Sequence, residues 1–238
     1  MEKIIAHAAE AIILREGGKI IKRRIKKSYR IPELDEKLRK LRTRSESKLL
    51  EKASKLISVP KLIKSDEKSK EIELEFLDGK KLSENLDNLK DKFEIMEQVG
   101  EETAKLHDNN IIHGDLTTSN MILVENKSIK DSQKINNKPA AKTNKSIKQS
   151  TGNSKLITDK NNFQVYIIDF GLGYISSRIE DKAVDIHLLK QALEAKHFQN
   201  WEKLFSSFLK GYNSKDKTKI LEQLKKVEAR GRYRKNAH

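Results

Sequence analysis

Residues 3 to 25 read as short strands. An apolar stretch is followed by AIILRE, the pair Gly17-Gly18, and KIIKRRI, which is the hairpin signal of two strand-like runs joined by glycines. From Glu33 to about Ile57 the pattern changes to a helical one, with Leu34, Leu38, Leu41, Leu49 and Leu50 recurring at helical intervals and Pro60 closing the segment. EIELEFLDG alternates like a strand and ends at Gly79. Residues 83 to 108 return to helical spacing, placing Leu86, Leu89, Phe93, Met96, Val99 and Leu106 on one stripe. Two further strand-like runs, MILVE and VYIIDF, flank a polar stretch, and from about Asp181 the chain reads as helix. This order predicts an α+β protein, with a small β-rich part containing one helix followed by a mostly helical part.

At 238 residues the chain is long enough for one large domain or two small lobes sharing a core. Apolar and charged residues each make up 36%, so a core is affordable within a heavily solvated surface. With no cysteine, a disulfide framework and any thiolate metal site or nucleophile are excluded. The run IIAHAAEAIIL at 4 to 14 holds a His and a Glu and is too short to span a bilayer, and no signal-like pattern precedes it. The expectation is a soluble, cytoplasmic protein with no membrane partner.

The net charge of +15 points to a polyanionic partner, and two segments carry much of it. Residues 126–161 hold nine lysines against two aspartates, lack aromatics and show no periodicity, which predicts a disordered, solvated insertion. Its place between two strand-like runs puts it at a hairpin tip, where extra chain costs little. The other segment is the tail 225–238, with six Lys/Arg, one Glu and a tyrosine among the arginines.

Candidate chemistry sits in IIHGDLTTSNMILV at 111 to 124 and VYIIDFGLG at 165 to 173. Pairing the two strand-like runs brings Asp115, Asn120 and Asp169 to one end of the hairpin. Oxygens of Asn120 and Asp169 suit a hard cation such as Mg²⁺, leaving Asp115 to orient or deprotonate a hydroxyl or water. The spacing resembles the H-x-D-x-x-x-x-N and D-F-G motifs of protein kinases. That resemblance implies a lysine on the nucleotide phosphates, for which Lys22 in KIIKRR fits, and a helix carboxylate paired with it, for which Glu46 is the best match and Glu51 the alternative. Ile20, on the same strand face as Lys22, would lie against adenine, and the backbone at Glu75 and Leu77 would pair with it. His113 is expected to brace the D-F-G backbone. The departures matter as well: no G-x-G-x-x-G precedes Lys22, the usual catalytic-loop arginine is Gly114, and the short segment after Gly171 lacks A-P-E. A peptide-docking platform is therefore missing.

AEAII (9 to 13), residues 20 to 50, HGDLTTSNM (113 to 121), IDFGLG (168 to 173), EDKAVDIHLLKQAL (180 to 193) and RGRYR (230 to 234) together resemble one family. It is the small atypical kinase/ATPase subunit of the KEOPS (EKC) complex, which supports threonylcarbamoyl-adenosine formation in tRNA. The resemblance implies a bilobal protein-kinase-like fold with an N-lobe at 1–77 and a C-lobe at 78–238. It also implies Mg²⁺ and ATP as cofactors, ATP hydrolysis or autophosphorylation, and partnership with the KEOPS catalytic subunit, other complex subunits and tRNA. Arg230, Arg232, Tyr233 and Arg234 would make the tRNA or partner contact. Ala8 stands where the family has glycine, which stiffens the phosphate-covering turn. Two other readings stay open: a catalytically weak scaffold bridging partner subunits and tRNA, and a small-molecule kinase of the aminoglycoside or choline type. His7, His107, His187, His197 and His238 show no metal-ligand spacing. Trp201, Phe205 and Phe208 fall at helical intervals, as a core or partner-facing stripe would.

Overall fold

A computed structural model describes residues 2–8, 10–125 and 162–235, with side chains as far as Arg230. The expected disordered insertion at 126–161 lies outside the described residues.

The chain opens with β1 (Lys3–His7), β2 (Ala11–Glu16) and β3 (Lys19–Arg24), joined further on by β4 (Leu62–Asp66) and β5 (Glu71–Glu75) in one sheet of order β1-β2-β3-β5-β4. Every pairing in it is antiparallel. Gly17 takes φ +59° in the two-residue loop between Glu16 and Lys19, a left-handed conformation that glycine adopts without steric cost. The short, polar β4 escapes the sequence pattern and takes its place from pairing with β5.

Helix α1 (Pro32–Ala53) begins with proline in its first turn and with Glu33 and Asp35 near its positive end, both favourable there. It ends earlier than Ile57, because residues 54–57 tighten into turns on the carbonyls of Leu50, Lys52 and Ala53. The expected single helix at 83–108 is interrupted. α2 (Leu82–Asn85) runs into a short 3-10 turn at Leu86–Asn88, Leu89 is extended, and α3 (Lys92–Asp108) starts afresh. Asn85, Asp87 and Asn88 are poor helix formers, and the Asp87 carboxylate is engaged by His197 and Asn200 instead.

Three short pieces then build the site: β7 (Ile111–Ile112), β8 (Met121–Glu125) and β9 (Phe163–Ile167). β8 and β9 pair antiparallel from Met121↔Ile167 to Glu125↔Phe163, so the intervening segment leaves and returns at facing positions. β6 (Lys80–Lys81) flanks β8, and β10 (Tyr174–Ile175) pairs with β7. The remainder is helical: α4 (Ile179–Lys196), α5 (Trp201–Gly211) and α6 (Lys217–Lys235).

Two apolar cores result. One lies among the helices and includes Met96, Val99, Leu189, Phe205 and Phe208, with Trp201 packed against its edge, so the aromatic stripe is core. The other is a seam in which Leu49 and Leu50 of α1 and Ile72 and Leu74 of β5 meet Leu106, Ile111, Ile167 and Phe170 from the helical half. Phe170 is fully buried there, which contributes about 1.5–3 kcal/mol. α3 and α5 cross backbone to backbone at Gly100 and Gly211, where a Cβ on either would overlap the carbonyl oxygens of Phe208 and Glu97 respectively.

Candidate functional site

The two-residue period of β3 puts Ile20, Lys22 and Arg24 on one face. Lys22 Nζ donates to Glu46 Oε1 at 2.8 Å and to Asp169 Oδ1 at 2.5 Å. Glu46 is 1% exposed, and its other oxygen accepts from Arg24 Nη2 at 2.5 Å. Glu51 lies on the exposed side of α1 and takes no part. Burial works to lower the Lys22 pKa, yet the carboxylates of Glu46 and Asp169 outweigh it and hold the ammonium above its usual value. Burial likewise presses the Asp169 carboxyl upward, and Lys22 together with the Gly171 amide overcomes this and holds it low. Both groups are therefore charged across the neutral range.

Asp169 sits at φ +64°, an uncommon left-handed conformation for a non-glycine residue, and such outliers gather at functional sites. Its Oδ1 also accepts from Gly171 N at 3.1 Å. A Cβ on Gly171 would come within 2.9 Å of that oxygen, 3.2 Å of Lys22 Nζ and 3.3 Å of Glu46 Oε2, so glycine leaves room for the charged ends to meet.

The loop after β7 is held from beneath. Asp185 in α4, 1% exposed, accepts from His113 N at 2.7 Å and from Gly114 N at 2.9 Å. His107 Nε2 reaches the same carboxylate at 3.3 Å, while its Nδ1 meets the Tyr212 hydroxyl at 2.7 Å. Burial pushes the Tyr212 phenol well up, so it stays a neutral donor. Gly114 has φ +77°, and a Cβ there would overlap the Leu172 carbonyl oxygen, which explains glycine at the place of an arginine. His113 accepts from Asp115 N through Nδ1 at 3.2 Å and donates through Nε2 to the Ile168 carbonyl at 3.0 Å, a bracing arrangement for the strand that ends in Asp169. Asn120 Nδ2 donates to the backbone oxygen and to Oδ2 of Asp115, both at 2.9 Å, which leaves the Asn120 side-chain oxygen as an available ligand.

A cavity of about 380 Å³ opens between the two halves. Lys22, Glu46, Asn120 and Asp169 line its polar end, and Ile13, Ile20, Leu74, Ile122 and Ile168 its apolar part. Glu75 and Leu77 border it along the connection between the halves, so all the residues expected to hold a cofactor meet at one cavity. Asp115 is absent from the lining and stands half-buried beside it, tied to Asn120.

Among the described residues no group of three or more His, Asp or Glu is arranged for a metal ion. A carboxylate and a carboxamide oxygen at the polar end of this cavity nonetheless fit Mg²⁺, which takes one or two protein oxygens and fills its remaining positions with phosphates and water. Of the residues expected to contact tRNA or a partner, only the side chain of Arg230 falls among those described. Arg230 Nη1 donates to Glu180 Oε1 at 2.6 Å on the surface, and the side chains of Arg232, Tyr233 and Arg234 lie outside the described residues. Among the described residues no helix is long and apolar enough to cross a membrane. Sequence reasoning missed Asp185, His107 and Arg24. The available signal for Asp185 was a charge set among Ala183, Ile186 and Leu189, on what proves to be the buried face of α4.

The RIO domain family matches residues 18–142. The chain is 38% identical over 225 residues to the KEOPS complex subunit Bud32 of Pyrococcus abyssi, covering 92% of this chain and 86% of that protein. It is 36% identical over 240 aligned positions to a bifunctional tRNA threonylcarbamoyladenosine biosynthesis protein of Methanobrevibacter smithii, covering 98% of this chain and 37% of that longer protein. In fold it is similar to the Rio2 kinase of Chaetomium thermophilum solved as an ADP/Mg²⁺-phosphoaspartate complex. That likeness has a TM-score of 0.57 at 15% identity and covers 96% of this chain and 70% of the other.

Proposed function

Because the chain belongs to the RIO domain family, in the group of KEOPS Bud32 subunits, we propose that it binds Mg-ATP in the interlobe cavity and hydrolyses it or phosphorylates itself. In this reading it serves in the cytoplasm as the kinase-like subunit of a KEOPS assembly that modifies tRNA, with residues 1–77 as N-lobe and 78–238 as C-lobe. The observation that carries the reading is the meeting of Lys22, Glu46, Asn120 and Asp169 at the polar end of an otherwise apolar cavity.

Adenine would lie between Ile20 and the apolar wall, with the backbone at Glu75 and Leu77 as its hydrogen-bonding edge. Lys22, now shared between Glu46 and Asp169, would keep Glu46 and exchange Asp169 for phosphate oxygens. Asp169 and the Asn120 oxygen would then hold Mg²⁺, which neutralises charge on the phosphate oxygens. Asp115, with Oδ2 fixed by Asn120, would use its other oxygen to orient or deprotonate the attacking hydroxyl or water. Arg230, Arg232, Tyr233 and Arg234 are assigned to tRNA or partner contact. The surface pair of Arg230 with Glu180 is worth little in water and is readily given up to a phosphate.

Purified full-length chain, alone and with its KEOPS partner subunits, is to be mixed with labelled ATP and Mg²⁺. The expected result is phosphate release or self-labelling well above an Asp169→Ala control. Binding without turnover under both conditions would support the scaffold reading, and absence of binding would remove the site.

A further inference from the structure

Ile5 and Ala6 of β1, and Ala8 just after it, line the cavity. β1 itself has little to hold it. Every one of its residues is exposed, Ile4 by 51% and Ile5 by 46%, and its ladder to β2 shifts register at a bulge between Ile4 and Ala6. An edge strand without packed side chains belongs to the low-stability end of a fold. Besides the hydrogen bond from Ala8 N to the Ala11 carbonyl at 2.9 Å, Glu10 ties this end of the sheet to the rest of the lobe.

The Glu10 backbone oxygen accepts from Ile25 N at 3.1 Å. Its carboxylate accepts from Arg30 Nη2 at 3.0 Å, lies 3.9 Å from Arg24 Nη1 and pairs with Arg42. Arg24 goes on to Glu46, and Glu46 to Lys22. Arg42 and Glu46 are four residues apart on α1, so one face of that helix reaches both Glu10 and the buried lysine. A shift of α1 would break both links together.

We propose that Glu10 is a positioning residue that ties the head of β2, through Arg24, Arg30 and Arg42, to the helix bearing Glu46. Seating of Ala8 against the cavity and pairing of Lys22 with Glu46 then occur as one event. The proposal rests on the Mg-ATP reading of the cavity. Glu10 itself touches no atom of the nucleotide and acts through the residues it positions.

The test is titration calorimetry of Mg-ATP on the full chain, with hydrogen exchange of the β1 amides and thermal unfolding measured alongside. Glu10→Gln is expected to weaken Mg-ATP binding about tenfold and to speed exchange at residues 4–7. Its Tm should stay within about 2 °C of the parent, as for other half-exposed surface changes. In a double-mutant cycle, Glu10→Gln combined with Arg42→Gln should lose no more affinity than the stronger single variant. Should Glu10→Gln fail to fold, the half-buried Arg42→Gln interrogates the same link alone. Unchanged affinity in these variants, additive losses in the cycle, or β1 exchange that does not respond overturns the proposal while leaving the cavity reading intact. A wild-type chain that binds no Mg-ATP overturns the cavity reading and the proposal with it.

Discussion

Asp185 offers the sharpest test of how the catalytic loop is held. Its carboxylate is 1% exposed and satisfies two backbone N–H groups, at 2.7 and 2.9 Å, in a region where His113 is fully buried. Asp185→Ala removes the acceptor of the buried His113 N–H and that of the half-buried Gly114 N–H. A buried unsatisfied donor costs about 1–3 kcal/mol, so the expected destabilisation is roughly 3–5 kcal/mol, a large share of a typical domain's stability of about 5–15 kcal/mol. Asp185→Asn keeps one acceptor but turns an NH₂ toward the second donor, and should cost about half as much. Urea unfolding followed by circular dichroism measures both, with Asp181→Ala as the control. Asp181 lies one turn away, is half-buried and bonds only the Ser176 hydroxyl and nearby surface groups, so it should lose less than about 1 kcal/mol. Hydrogen exchange at His113 and Gly114 should accelerate in the Asp185 variants alone. An Asp185→Ala protein within about 0.5 kcal/mol of the parent, or with its loop amides still protected, would refute the account of the loop's support.

Gly100→Ala should destabilise the helical half by about 3 kcal/mol or more in urea unfolding, although alanine gains about 1 kcal/mol of helix propensity, because the new methyl group overlaps the Phe208 carbonyl. Asp169 has its folded pKa held below the ordinary 3.8, so its pairing with Lys22 stabilises the fold above that pH and loses this contribution as the pH falls further. The stability difference between the parent and Asp169→Asn should therefore be flat from about pH 5 to 9 and change only in acid. Glu102 is the opposite case, with burial raising its carboxyl above the ordinary 4.5 despite Lys105. Its charge costs stability above the folded pKa, so Glu102→Gln should raise Tm at pH 7, and the gain should shrink as the pH falls below that value.

The hairpin at Gly17-Gly18, helix α1 and the pairing of MILVE with the run after the insertion were legible because each follows a local rule of period or turn chemistry. Lys22 is singled out because it follows an apolar pair at strand spacing, whereas Glu46 comes from the resemblance to kinases with Glu51 still open, and only the packed helix separates the two. What escaped was set by contacts distant in sequence. The break between α2 and α3 follows from Asp87 being claimed by His197, 110 residues away. The strand β4 exists because β5 lies beside it, and the Asp185 anchor depends on two backbone amides more than 70 positions earlier. No window of a few residues contains such information.

The seam that joins α1 and β5 to Phe170 and α3 has a mechanical consequence. Opening the upper and lower halves on that side would strip Leu49 and Leu50 from Phe170 and expose oily surface to water, at a cost in free energy. Opening is easiest along β1, whose residues are all exposed, and on the Mg-ATP reading a nucleotide would enter and leave by that side.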